Sequence, residues 1–298
     1  MARRAADYPE LECGPTSHAF FSQRLRLHYV DYGSPDKPLL VLVHGGRDHC
    51  RNWDFVAREL VGEYHVIAPD LRGHGDSAWA IGSQYAMADY VLDLAQLLRH
   101  VGQWPVTLVG HSLGGAVVLQ YSGIYPESLT RVVAIEGLGP PPEMELDRSV
   151  DERMREWIST MQELACRKPR HYRLRTEAEE RMREVNPHLP ASIAHHLTVH
   201  GTVQMEDGSY TWKFDNYVRA FPPAAYDRAG VARLWSRINC PVLLVRGADS
   251  WASDPVKDGR AANFADYRYA EVQGAGHWVH HDRIEEFTAV LKDFLQVP

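Results

Sequence analysis

Long apolar runs are missing from this 298-residue sequence. The longest lies near Leu39–Val43, far short of the ~20 residues a bilayer crossing needs, so no membrane span is expected. Basic blocks are missing too. Lys and Arg total 32 against 39 Asp and Glu, a net charge of −7. Neutralising phosphates takes a basic face, so no nucleic-acid partner is expected. Cysteine is scarce: Cys13, Cys50, Cys166 and Cys240 are widely spread with no CxxC spacing, the pattern of free thiols rather than a disulfide framework. No internal repeat or low-complexity tract occurs. Residues Met1–Asp7 hold two arginines but no apolar stretch follows them, so no signal peptide and a cytoplasmic location are expected. What remains, 45% hydrophobic and 24% charged, is an ordinary globular composition.

Short β-branched runs alternate with helical patterns in the first half of the chain. Strands are predicted at Arg26–Tyr32, Leu39–Val43, His65–Ala68, Val106–Val109 and Val132–Ile135, with helices near 52–62, 85–101 and 113–125. Strands separated by helices pair in parallel beneath two helical layers, an α/β core. Gly137-Leu138-Gly139-Pro140-Pro141-Pro142 then stops regular structure. The following stretch is helical and rich in Arg and Glu, with no strand-like apolar run. The strand pattern returns at Val242–Val245 and Tyr267–Val272, before an amphipathic helix over 283–296. Residues 1–140 and 237–298 therefore read as one sheet, and 141–236 as a helical cap inserted into it.

The most informative stretch is Val106-Thr107-Leu108-Val109-Gly110-His111-Ser112-Leu113-Gly114-Gly115. It sets Gly-x-Ser-x-Gly between an apolar strand and a helix, the arrangement of a nucleophile elbow. Glycines are required where a Cβ would collide with the turn, and the helix N-terminus favours negative charge beside Ser112. A serine hydroxyl is a weak nucleophile and needs a base. Of 16 histidines, His277 stands out, in the Gly-rich loop Gly274-Ala275-Gly276-His277-Trp278 between a strand and the last helix. The base needs a carboxylate, and two positions qualify: Asp249, after the strand Val242–Val245, and Glu136, at the end of Val132–Ile135. An oxyanion hole needs two backbone N–H groups. Leu113 follows the nucleophile, and Gly46 in His44-Gly45-Gly46-Arg47-Asp48 is the natural second donor. Arg47 and Asp48, unusually polar for a pocket mouth, either pair with each other or meet a polar substrate group. His111, Trp251 and Trp278 are further pocket positions. His280-His281-Asp282 has no third ligand at metal-binding spacing, and no Gly-x-Gly-x-x-Gly follows a first strand, so neither metal nor cofactor is expected.

Together, His44-Gly45-Gly46, Asp70-Leu71-Arg72-Gly73-His74-Gly75-Asp76-Ser77, Gly110-His111-Ser112-Leu113-Gly114-Gly115 and Gly276-His277 resemble the α/β-hydrolase superfamily, and more closely its bacterial serine-hydrolase-like carboxylesterases. The resemblance covers nearly the whole chain, with the cap as the variable part. It implies an ester or lactone hydrolase (EC 3.1.1 class) acting on a small molecule through an acyl-enzyme. Its site would be Ser112, His277 and an acid, in the chain order Ser, acid, His. The same fold also holds C–C bond hydrolases and non-catalytic ligand-binding members. One departure stands out. The family's usual acid position, Gly-x-x-Asp after its seventh strand, is Ser250 here, with Asp249 one residue early. Glu136 matches the acid position of haloalkane dehalogenases, although those enzymes and the epoxide hydrolases of this fold use an Asp nucleophile. Family frequency tips the expectation toward Asp249, with Glu136 the alternative. The sequence carries no signal for an oligomeric state.

Overall fold

The computed structural model describes residues 14–82, 85–144, 148–220 and 222–297; Cys13 lies outside them. The chain opens with β1 (Thr16–Ser22) and β2 (Leu25–Asp31), an antiparallel pair. Their two-residue turn, Gln23-Arg24, has positive φ at both positions, the turn twist that suits a hairpin. Then come β3 (Leu39–Val43), α1 (Asp54–Arg58), β4 (His65–Pro69), α2 (Met87–Val101), β5 (Val106–His111), α3 (Leu113–Ile124) and β6 (Leu129–Ile135). Residues 150–235 supply α4 (Val150–Cys166), α5 (Arg175–Val185), α6 (Ala191–Gly201), the strands β7 (Thr202–Gln204) and β8 (Tyr210–Trp212), and α7 (Arg228–Trp235). The chain closes with β9 (Val242–Gly247), β10 (Tyr267–Val272), α8 (Val279–Asp282) and α9 (Ile284–Leu295).

Eight strands form one sheet in the order β1-β2-β4-β3-β5-β6-β9-β10. The β1–β2 and β2–β4 pairs are antiparallel; the pairs from β4 through β10 are parallel. The central strands are apolar at every position because both faces are covered. Leu39, Val41, Val43, Leu108, Val132 and Leu244 pack under α2, α3 and α7. Leu40, Leu42, Val109, Val133, Leu243 and Val245 pack on the opposite face with Trp53, Val56, Phe287 and Leu291, from the segment around α1 and from α9. After β3 the chain turns outward to β4; after β4 it crosses back to β5 on the other side of β3. Loops diverge where the order reverses, and open α/β sheets place ligands at that point, beyond the carboxyl ends of the strands.

Three elements differ from the sequence expectation. β1 was not foreseen: it is an edge strand with only Phe20 and Ser22 buried, so it has little alternating pattern to read. The helix expected over 52–62 shrinks to α1, preceded by a 3₁₀ turn at Cys50–Trp53 and followed by tight turns at Leu60 and Val61. The inserted segment, expected without strands, contains the small antiparallel β7–β8 pair, too short and polar to show a period. Leu189, Ile193, Ala194 and Leu197 of that segment pack with Phe55 and Trp278 of the sheet region. His74 and Phe214 add a backbone bridge across the same seam. Cys50, Cys166 and Cys240 are free thiols. No helix among the described residues is long and apolar enough to cross a membrane.

Candidate active site

Ser112 sits at φ 51°, ψ −115°, between β5 and α3. A non-glycine residue there is strained, and surrounding packing must hold it. The flanking glycines make room for that turn. A Cβ on Gly110 would lie 2.4 Å from Gly114 O, and one on Gly114 would lie 2.3 Å from Val43 O. Ser112 N–H donates to Ile135 O at 2.8 Å, which binds the turn to the end of β6. Leu113 opens α3, where backbone N–H groups have no intrahelical acceptor.

The loop after β3 is fixed from behind. His44 is fully buried; its Nε2 accepts from Leu71 N–H at 2.9 Å, so Nδ1–H is left to donate to Gly45 O at 2.6 Å. Burial pulls its pKa down to about 3, so the ring stays neutral and this tautomer persists. Gly45 lies against Ser112, since a Cβ there would be 3.3 Å from Ser112 Cβ. Gly46 is exposed beside Leu113.

His277 stands over Ser112. Its Nε2 is 3.0 Å from Ser112 Oγ, and its Nδ1 is 2.5 Å from Glu136 Oε2. A carboxylate only accepts, so Nδ1 carries the proton and Nε2 is free to accept from the serine. The Glu136 side chain is wholly buried, on a residue with φ 51°. Gly247 N–H donates to its Oε1 at 2.8 Å and Ser250 Oγ–H to its Oε2 at 2.6 Å. Both donors fix the orientation of the carboxyl group. The His277 loop is braced in turn: His111 Nε2–H donates to His277 O at 2.9 Å, and Gly276 N–H to Asp282 Oδ2 at 2.8 Å.

The structure thus brings Ser112 and His277 into hydrogen-bond contact, with Gly46 beside Leu113, and it sets Glu136, the alternative acid, against the ring in place of the favoured Asp249. Asp249 is exposed, and its backbone N–H is tied to Ala275 O. One residue early in a turn that closes on Gly247, it leaves Ser250 facing the carboxylate. The reach to His277 comes from β6, the next strand over. Ser250 is the site residue the sequence reading passed over, and its signal was there: it fills the position where the family carries its acid.

Among the pocket positions, Asp48 and His111 are buried rather than open. Asp48 accepts from Asn52 Nδ2 at 2.7 Å and His49 N–H at 2.9 Å, and burial raises its pKa. It thus turns away from Arg47, which is exposed at φ 64°. His111 belongs to a stack of rings, 4.9 Å from His277 and 4.6 Å from His280, and burial holds it well below the usual imidazole range. Trp251 is 80% exposed with its ring 4.7 Å from that of His277. Trp278 packs on the inserted helices instead. Among the described residues two clusters have metal-ligand side chains, His28 with Cys50 and Asp70, and Asp54 with His196 and His200. Asp70 already accepts from His28, Cys50 N–H and Asp76 N–H, and Asp54 from Arg51 and Tyr32; these bonds knit loops together.

Comparison with known proteins places this geometry in a family. Residues 38–284 match the alpha/beta hydrolase fold. The 3-hydroxybutyrate-oligomer hydrolase of Cupriavidus necator is 32% identical over 244 residues, covering 76% of this chain and 77% of that protein. Epoxide hydrolase 4 of Mus musculus is 36% identical over 112 residues, 37% of this chain, and the match spans only 31% of its length. A hypothetical protein from Pseudomonas aeruginosa PAO1 superposes with a TM-score of 0.83 at 26% identity, covering 94% of this chain and 99% of the other. The match to the fold along most of its length makes this chain a member of the alpha/beta hydrolase family.

Proposed function

We propose that the protein is a serine hydrolase that cleaves a carboxylic ester or lactone through an acyl-enzyme, with Ser112, His277 and Glu136 as its triad. The observation that carries this reading is the unbroken hydrogen-bond chain from Ser112 Oγ through both ring nitrogens of His277 to Glu136. His277 Nε2 takes the Ser112 proton as Oγ attacks the substrate carbonyl, and the imidazolium is stabilised by the Glu136 carboxylate. The N–H groups of Leu113 and Gly46 receive the oxyanion. As the tetrahedral intermediate collapses, the C–O bond to the alcohol breaks and the imidazolium returns its proton to that oxygen. Water, deprotonated by His277, then attacks the acyl-enzyme, and Ser112 recovers its proton as the acid leaves.

Support for ester chemistry also comes from a relative, the 3-hydroxybutyrate-oligomer hydrolase, similar over three quarters of this chain. An epoxide hydrolase reading would need a carboxylate at the nucleophile position, and that position is Ser112. Residues 141–236 act as a cap that sets substrate range and leaves the chemistry to the sheet. Their contacts with the Trp278 and His74 segments support that role, because they put the insertion beside the site.

The test is hydrolysis of p-nitrophenyl acetate by the purified protein and its Ser112→Ala variant. Turnover that drops ~10³-fold or more in the variant supports the mechanism. Near-normal turnover in Ser112→Ala refutes it. A burst followed by negligible turnover in the unmodified protein would instead favour a ligand-binding member of the fold.

A further inference from the structure

The serine-hydrolase reading leaves the identity of the substrate open, and the residues beside the oxyanion loop bear on it. Arg47 directly follows Gly46, with consecutive Cα atoms ~3.8 Å apart, so its backbone belongs to the loop that meets the reacting carbonyl. Its natural neighbour Asp48 is turned inward onto Asn52 and His49 and does not neutralise it. Across the seam, Arg219 lies with its guanidinium carbon 5.4 Å above the Phe214 ring, and Phe214 bridges to His74. His74 in turn packs against His44, with ring centres 5.3 Å apart, at the root of the oxyanion loop. The Nε of Arg219 is buried with no hydrogen-bond partner.

Arg47 and Arg167 both bear electrostatically on Arg219, which together with burial lowers its pKa, and Arg47 also acts on His74. Arg219, reached from the oxyanion loop through His74 and Phe214, is thus flanked by like charge in a chain whose net charge is −7. Among the described residues neither Arg47 nor Arg219 has a carboxylate partner, whereas Arg51, Arg72, Arg246 and Arg260 all do. Like charges gathered without a counter-charge repel, and a half-buried guanidinium with an empty donor is costly. A bound anion removes both penalties, and arginine is the side chain suited to hold a carboxylate or phosphate through paired N–H donors.

We propose that Arg47 and Arg219 form a subsite for an anionic group carried by the substrate, so that the preferred esters are negatively charged close to the scissile carbonyl. This rests on Ser112 being the nucleophile, and the experiment separates the two claims. Two p-nitrophenyl esters of one dicarboxylic acid are compared: the half-ester with a free carboxylate, and its neutral methyl-capped counterpart. A second arm compares a coenzyme A thioester of a neutral acyl group with the same thioester of N-acetylcysteamine, which lacks phosphates.

The unmodified protein should favour the anionic member of at least one pair by ~10-fold or more in kcat/KM, mostly through KM. Arg219→Gln and Arg47→Gln should each bring that ratio close to one. Preference within the first pair puts the anion on the acyl side, and preference within the second puts it on the leaving group. Efficient turnover with no preference in either pair, or a preference that survives in both variants, overturns the subsite while leaving the hydrolase reading standing. Should none of the four compounds be cleaved, the hydrolase reading is decided by p-nitrophenyl acetate as above. The subsite is then judged by calorimetry of the free dicarboxylate and of coenzyme A with Ser112→Ala. Binding of either that Arg219→Gln abolishes supports the subsite, and no binding of either overturns it.

Discussion

Replacing Glu136 by Gln keeps the shape of the side chain and inverts one of its contacts. The carboxylate accepts three hydrogen bonds, from His277, Gly247 N–H and Ser250 Oγ–H. The amide oxygen can serve Gly247, but the NH₂ group then meets Nδ1 of His277. Two donors cannot share a 2.5 Å contact, so the ring must carry its proton on Nε2 and offer Nδ1 to the amide. Nε2–H then points at Ser112 Oγ and can no longer take its proton. Removing the orienting carboxylate of another triad by the same kind of exchange costs ~10⁴-fold in turnover, about 5.4 kcal/mol at 1.36 kcal/mol per decade. Glu136→Gln should lose on that order in kcat at saturating p-nitrophenyl acetate, and a thermal melt should show a folded protein. Asp249→Asn, at an exposed turn, should stay within about twofold. If Asp249→Asn is the dead variant and Glu136→Gln turns over normally, the placement of His277 against β6 is wrong.

Ser250→Ala removes one donor from the same carboxylate without changing its charge. A hydrogen bond to a charged group contributes about 1.5–3 kcal/mol, so kcat should fall between ~10- and ~100-fold, while a fall in KM alone would contradict the positioning role. Gly114→Ala sets a Cβ against Val43 O and His44 O, backbone that cannot give way cheaply; it should cost about 1–3 kcal/mol in urea unfolding, and an unchanged midpoint would contradict the close approach. The fully buried rings of His44, His74 and His281 have pKa values lowered by burial to about 3, 4 and 3. Such groups bind protons in the unfolded chain first, so the stability they hold is complete above the ordinary value of 6.5 and drains as pH falls toward 4. Each ring contributes a slope of about 1.36 kcal/mol per pH unit in that window. Unfolding at pH 5.5 should therefore take up about two or more protons in linked urea melts, and uptake well below one would refute buried neutral rings.

The sheet and the strand–helix turn at Ser112 were legible because both leave local marks. Continuous apolar strands such as Leu39–Val43 announce burial on two faces, and Gly110-His111-Ser112-Leu113-Gly114 can hardly be anything but a tight strand–helix turn once flanked by them. The partners of His277 leave no such mark, since contact with Glu136 spans 141 positions in sequence and depends on which neighbouring strand points at the ring. Asp249 and Glu136 both end strands on the same sheet edge; one turn's curvature at Gly247, where a Cβ would strike Gly276 O, decides between them. Edge strand β1 and the β7–β8 pair escaped for the opposite reason. Mostly exposed strands have no hydrophobic period to read.

The account stands or falls on an acyl-enzyme at Ser112, and covalent trapping reads it directly. A fluorophosphonate should add once to the purified protein, and peptide mass spectrometry should find it on Ser112. Labelling should vanish in Ser112→Ala and slow by orders of magnitude in His277→Ala and Glu136→Gln, because the serine is activated only through that chain. Label on any other residue, or ester hydrolysis that continues with Ser112 fully blocked, would contradict it.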